Sequence, residues 1–482
     1  MLLNKDFLVI FAGKLLQVVI VIATLKVSTM LLSPKEMGSI YLFFAIQTFF
    51  VLTFLSPLGQ YINRRTHQWY KNKSILNNLF IYLLYIFCIS LLSILIGYLL
   101  YSYFGVGNNF SLSIFLLLLS SSILVITLNQ TYIPMLNMLH FRVEFTLLTI
   151  LTSLFILIFG YSFVAFFGSN AEFWLFGIVL SNMIFAIYGF LVLRNKTANQ
   201  VYTFYSIFEK LKAYDYKLLL AIVIPIAFAT LFMWLQNSGY RMIIEQKIGL
   251  EFLGYLGVGL ALSSQIASIF ESILAQYLIP IYYQRISSQS DIKDRTESFN
   301  WLLNIKLPMY FLLALYVTIF SPYIVDILVN EKYKDVYIFT IFGIWIEFFR
   351  MFTNVLYSIA LSELKTKNIM IPYIVGSLLT IIFVYISSGI VNYKFYLPLG
   401  LVVGNSITMI LMYIYMKQLL NFSINYKLLI ISLLISSCYL SVFLFEFEKN
   451  IVNSIMVVGG SGIYFLGTIF FIYKRGLKYD YS

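Results

Sequence analysis

Apolar residues along the chain come in long runs rather than in alternation. Fourteen runs can be delimited, at about 7–32, 38–62, 76–104, 112–138, 143–167, 172–193, 217–240, 251–276, 303–329, 336–361, 369–388, 395–418, 427–445 and 451–473. About 20 apolar residues rising roughly 1.5 Å each match the hydrocarbon thickness of a bilayer, so each run is a candidate span. Membrane β-barrels would instead show segments of about 10 residues in which apolar and polar positions alternate. The pattern predicts an all-α, polytopic membrane protein of about 14 transmembrane helices.

Composition agrees with that class. Hydrophobic residues make up 61% of the 482 residues and charged ones only 11%, with a mean hydropathy of +0.89. A soluble core could not absorb so much apolar surface. The net charge of +12 would suggest nucleic acid in a soluble protein, but here the basic residues lie mainly in the connections between runs. With both termini cytoplasmic, 21 Lys and Arg fall in inside segments and 7 in outside ones. Membrane topology therefore accounts for them, and no nucleic-acid role is assigned. The first run is too long for a cleavable signal and lacks a small-residue cleavage pattern, so it is expected to remain as a span. Cys88 and Cys438 each fall within an apolar run and are expected to be small buried hydrophobes. His67 and His140 are too few and too separate in sequence for a metal site.

Two longer connections, at 194–216 and 277–302, are both expected on the cytoplasmic side. Across the first, Glu36-Met37-Gly38-Ser39-Ile40-Tyr41 after run 1 is similar to Glu251-Phe252-Leu253-Gly254-Tyr255 after run 7, and Lys26 then falls opposite Arg241 to within one residue. Runs 1 and 7 would start on the same side, so this is a parallel repeat: two six-helix bundles about an axis along the membrane normal.

Ionisable residues inside the runs carry the functional signal. An ammonium near the bilayer centre costs about 2.5–3.5 kcal/mol on insertion scales, so such residues usually face a watery cavity, a partner or a substrate. Lys14 and Lys26 lie in the first run, twelve residues apart, hence roughly 18 Å along the axis and about 120° around it. They mark two depths along a path, unless either snorkels toward headgroups. In run 10, Glu347, Arg350, Asn354 and Tyr357 recur at helical spacing as one polar stripe, and run 8 offers Ser264, Ser268 and Glu271. Lys306, near the cytoplasmic end of run 9, is expected to snorkel, and Asp326 near its other end to be wetted. No phosphate loop, clustered His or Cys ligands, or nucleophile elbow is present, which disfavours covalent chemistry and calls for no cofactor. An excess of span-embedded cations suits an anionic group such as a pyrophosphate.

The stretch 225–255, with Pro225, Trp234, Asn237, Arg241, Gly254 and Tyr255, resembles the mid-chain pattern of Wzx-type polysaccharide exporters, and so do Ser33-Pro34-Lys35-Glu36-Met37-Gly38 and Val329-Asn330-Glu331-Lys332-Tyr333. The resemblance implies a member of the multidrug/oligosaccharidyl-lipid/polysaccharide exporter superfamily. Its domains would be a six-helix bundle over 1–193, a cytoplasmic linker over 194–216, a second bundle over 217–418, and two further helices with a cytoplasmic tail over 419–482. It also implies a bacterial inner-membrane flippase that moves an undecaprenyl-pyrophosphate-linked oligosaccharide repeat unit to the outer leaflet by alternating access through a cationic cavity. A polysaccharide polymerase and a chain-length regulator would act beside it. Related lipid II flippases use cations in the first span and the second bundle, for which Lys14, Lys26 and Arg241 are the nearest counterparts; this chain has no cation within the body of run 2. The substrate-binding set is therefore Lys14, Lys26, Arg241, Arg350 and Asn354. Charge alone cannot drive the cycle, so a proton or sodium gradient, the membrane potential or downstream polymerisation must bias it, with Glu271 and Glu347 as coupling candidates. Multidrug efflux would favour unpaired acids, and a membrane-embedded polymerase or glycosyltransferase would carry a large outer loop. Every outer connection here is short.

Overall fold

The computed structural model describes residues 5–197, 216–286, 291–363, 365–444 and 450–478. Of the linker expected over 194–216, residues 198–215 lie outside the described residues, as do 479–482 of the expected tail. The described chain is helical, with no strand among the described residues. Among the described residues, thirteen stretches are long and apolar enough to cross a membrane. The apolar helix Tyr216–Trp234 and the π-helical Leu235–Gly239 that continues it occupy the place of the remaining expected span, 217–240. The protein is a multi-pass helical membrane protein.

Two compact units divide the chain, Met1–Gly254 and Tyr255–Ser482. The first contains α1 (Lys5–Leu31), α2 (Pro34–Phe50), a π-helical segment (Val51–Leu55), α3 (Ser56–Lys71), α4 (Ile75–Phe104), α5 (Leu112–Met138), α6 (Arg142–Phe167), α7 (Ala171–Lys196), α8 (Tyr216–Trp234), a second π segment (Leu235–Gly239) and α9 (Tyr240–Lys247). Ser33 starts α2 by accepting the Glu36 N–H, with Pro34 at the first helical position. α4 stops at Gly105, whose φ of +65° is the left-handed ending that glycine tolerates. Pro57, just beyond the first π segment, lacks the N–H that would bond the Thr53 carbonyl, which accounts for the widened turn there. The Phe54 carbonyl within it accepts the Tyr85 hydroxyl at 2.9 Å. α8 packs on this segment and α2 on the second one, tied by a Trp234 Nε1–H bond to the Ala45 carbonyl at 2.8 Å. α4 pairs with α5, α5 and α6 with α7, and α1 with α6.

α10 (Leu250–Arg285) begins in the first unit and continues into the second. Within the first unit, Gly38 and Gly254 make a reciprocal contact. A Cβ on Gly38 would stand 1.9 Å from the Leu250 carbonyl oxygen, and one on Gly254 1.8 Å from that of Pro34. Each glycine thus meets the carbonyl four residues before the other, the arrangement a local two-fold gives, at the two junctions of similar sequence.

The second unit adds α11 (Ile292–Leu328), α12 (Tyr337–Ser362), α13 (Met370–Ser387), α14 (Tyr393–Leu419), α15 (Tyr426–Ser436) and α16 (Ile451–Lys478). α11 is its axis, packing against α12 on one side and the C-terminal pair α15 and α16 on another; α14 joins α12 to α13. Tyr282, Tyr310, Phe299 and Phe422 are fully buried there.

Two expectations change, for Lys306 and for the cysteines. Lys306 does not snorkel: it is 4% exposed, because α11 begins at Ile292 rather than near 303 and carries it deep into the unit. Asp326 stays partly exposed and accepts a hydrogen bond from Ser454 of α16 at 2.8 Å. Cys88 and Cys438 are exposed free thiols on helix surfaces rather than buried. His67 and His140, distant in sequence, bring their ring centroids to 6.1 Å, although no group of three or more metal-ligating side chains forms among the described residues.

Because a backbone carbonyl cannot yield as a side chain can, Gly38→Ala and Gly254→Ala should each destabilise the protein by about 1–3 kcal/mol, the usual cost of overpacking. Thermal unfolding of the purified protein reads this directly; unchanged midpoints would show that the two backbones do not meet so closely.

Candidate functional site

In the second unit the polar stripe of α12 finds its partners on α10 and α11. Glu347 and Arg350 are one turn apart, and Arg350 Nε donates to Glu347 Oε2. The guanidinium also reaches across to α10, with Nη2 3.1 Å from Glu271 Oε2. Asn354, a further turn along, donates from Nδ2 to the other Glu271 oxygen at 3.0 Å. Glu271 is thereby held by two groups of α12, and Arg350 bridges two carboxylates. α11 contributes buried Lys306, which feels the charge of Glu271, and buried Tyr310, whose hydroxyl has no hydrogen-bond partner among the described residues. The formal charges of Glu271, Glu347, Arg350 and Lys306 sum to zero. Such neutrality is what an apolar surrounding demands, since an isolated ion there carries a large desolvation cost.

The stripe therefore combines the expected substrate-binding residues Arg350 and Asn354 with the expected coupling residues Glu271 and Glu347 in a single network. Arg350 is not a free cation in this arrangement. A ligand anion would have to displace a carboxylate, or a carboxylate would have to be protonated, before its guanidinium became available. Lys306 and Tyr310 were missed as site residues; their spacing of four on one helix face, immediately around Pro308, was the available signal.

The first unit treats its cations differently. Lys14 is exposed on α1 and donates to the neutral Gln17 side chain at 3.2 Å; Gln17 in turn is 3.5 Å from Ser153 Oγ on α6. Lys26 is half-buried farther along α1, beside Thr29, which donates to the Lys26 carbonyl at 2.9 Å. Arg241 on α9 joins neither lysine. Its Nη1 donates to the Tyr41 carbonyl at 3.1 Å, and its guanidinium carbon stands 5.7 Å from the Tyr41 ring centre. Lys14 and Lys26 thus stand at two levels of α1, and Arg241 on α9.

No family model and no curated protein matches the chain. Solved structures do share its fold. The lipid II flippase MurJ in an inward closed conformation aligns over 98% of this chain and 99% of its own, with a TM-score of 0.67 and 17% identity. An inward-facing multidrug resistance MATE family transporter of the MOP superfamily aligns over 84% and 93%, with a TM-score of 0.56 and 13% identity. A MATE protein in a bent conformation aligns over 86% and 95%, at 0.51 and 12%. The chain has the helical fold common to these proteins.

Removing one member of a buried ion pair usually costs about 3–5 kcal/mol, because the partner charge is left uncompensated. Arg350 keeps 29% of its side chain exposed, so Arg350→Ala should destabilise at the lower end, about 3 kcal/mol. The triple change Glu271→Gln, Glu347→Gln and Arg350→Met should recover most of that loss. Thermal unfolding of both variants checks this, and an Arg350→Ala protein as stable as the parent would show that the network is not formed.

Proposed function

We propose that the protein is a secondary-type transporter, not an enzyme: a flippase that translocates an undecaprenyl-pyrophosphate-linked oligosaccharide repeat unit from the cytoplasmic to the outer leaflet by alternating access. Its place would be a bacterial inner membrane, with both termini cytoplasmic. The observation that carries this reading is Lys14, an exposed ammonium on an apolar helix that, among the described residues, meets a neutral amide rather than a carboxylate. An anion beside it would supply the missing charge. Lys26 gives a second cationic step along the same helix. The polyprenyl tail would remain in lipid, and a polymerase with its chain-length regulator would use the product at the outer face.

The fold alone leaves multidrug efflux as the competing reading, since MATE transporters share it. The charge pattern favours the flippase, because the two carboxylates best placed for an organic cation, Glu271 and Glu347, are already engaged by Arg350 and Asn354. Proton or sodium coupling at Glu271 or Glu347 would require Arg350 to be released, which links ion binding to the availability of that guanidinium.

Purified protein in liposomes, with a fluorescent undecaprenyl-pyrophosphate glycan whose outer-leaflet pool is quenched by dithionite, tests the proposal. Protein-dependent translocation is expected, slowed about tenfold by Lys14→Ala or Lys26→Ala, a loss of ~1.4 kcal/mol, with unfolding midpoints unchanged. Imposed proton or sodium gradients would identify the driving ion. Movement of an organic-cation dye with no movement of the labelled lipid would overturn the assignment in favour of efflux.

A further inference from the structure

One end of the first unit, expected to be the outer one, is held by two carboxylates that are satisfied very differently. Glu36, in the first turn of α2, commits both oxygens: Oε2 accepts the Ala171 N–H at the start of α7 at 2.7 Å, and Oε1 the Asn109 side chain at 3.4 Å. Glu245 on α9 accepts the Gly107 N–H at 3.0 Å through Oε1. Its Oε2 is buried and has no hydrogen-bond partner among the described residues. Arg241, one turn earlier on the same helix, is directed instead to the Tyr41 carbonyl.

The attachment around Glu245 is otherwise well built. Gln246 donates to the Phe104 carbonyl at 3.0 Å, so consecutive residues of α9 bind the 104–111 connection. Gly107 has a φ of +84°, and a Cβ there would stand 3.1 Å from the Phe115 ring. The N–H offered to Glu245 thus comes from a turn that favours glycine. A carboxylate with a single N–H bond and a buried bare oxygen is a poor place for negative charge.

We propose that Glu245 is a proton-binding site that fastens α9 to the 104–111 connection when protonated and loosens it when ionised. The proposal depends on no assumption about cargo. Burial pushes the Glu245 carboxyl up to about 7, against the opposing effect of the Gly107 N–H, with no contribution from a charged neighbour among the described residues. The elements packed on or bonded to α9 carry these charged and titratable groups: Lys35, Glu36 and Tyr41 on α2, Tyr101 and Tyr103 at the end of α4, Tyr240, Arg241 and Lys247 on α9 itself, and Glu251 at the start of α10. Glu36 and Arg241 are committed as described, Tyr101 donates to the Phe110 carbonyl, and Lys35, Tyr103, Lys247 and Glu251 are exposed.

The sign follows from linkage. The attached form has the raised pKa and a detached, hydrated Glu245 an ordinary one near 4.5. Attachment is therefore strongest below the ordinary value, weakens as pH rises between it and about 7, and is constant above that. An acidic outer compartment would hold this end of the unit fastened.

Hydrogen exchange of the full-length protein in lipid nanodiscs, from pH 5.5 to 8.5 and corrected for the intrinsic pH dependence of exchange, tests the proposal. Protection of segments 104–111 and 240–249 should fall about tenfold or more toward pH 7 and then level off. Glu245→Gln should abolish that slope, whereas Glu36→Gln should retain it. Flat protection in the parent protein would overturn the proposal without reference to any variant, and so would a slope that survives Glu245→Gln.

Discussion

The bridge from Arg350 to Glu271 and Glu347 is the interaction on which the second unit depends. It joins α12 to α10 where apolar side chains otherwise meet, and three ionised groups in such surroundings persist only if they neutralise one another. Asn354 completes the set by occupying the Glu271 oxygen that Arg350 leaves, and Lys306 brings the local charge to zero. The network thereby fixes the register of two helices. Its cation becomes available only when something takes over the role of a carboxylate.

The first unit meets the same constraint by other means. Arg241 is placed on a backbone carbonyl and an aromatic face, and among the described residues Lys14 reaches only a neutral amide. Neutralisation is thus internal in one unit and incomplete at Lys14 in the other. That asymmetry matters because the fold is common to a lipid II flippase and to multidrug transporters. Where fold does not choose between cargoes, the charge left unmatched becomes the informative quantity.

Much of the architecture was legible because a spanning helix satisfies its own backbone within one continuous apolar run. The stripe of Glu347, Arg350 and Asn354 was legible for a similar reason, since one helix places it on one face. Its partner Glu271 comes from another helix, and no local pattern announces that pairing. Lys306 was misplaced because hydropathy located the start of its helix by the first apolar residues, while the polar turns from Ile292 onward belong to the same helix. The cysteines failed in the opposite way: an apolar run implies lipid or protein contact, and only packing distinguishes the two. Gly38 and Gly254 lie at junctions of similar sequence, but their meeting is a tertiary contact that no local pattern announces.

The account rests on recognition of a lipid-linked anion by cations inside apolar helices, and binding reads that most directly. Native mass spectrometry of the purified protein, presented together with pyrophosphate-linked, monophosphate-linked and neutral polyprenyl glycans, should show occupancy falling in that order and the first two weakening as salt rises. Equal occupancy by all three lipids, or displacement of them all by an organic cation, would contradict it.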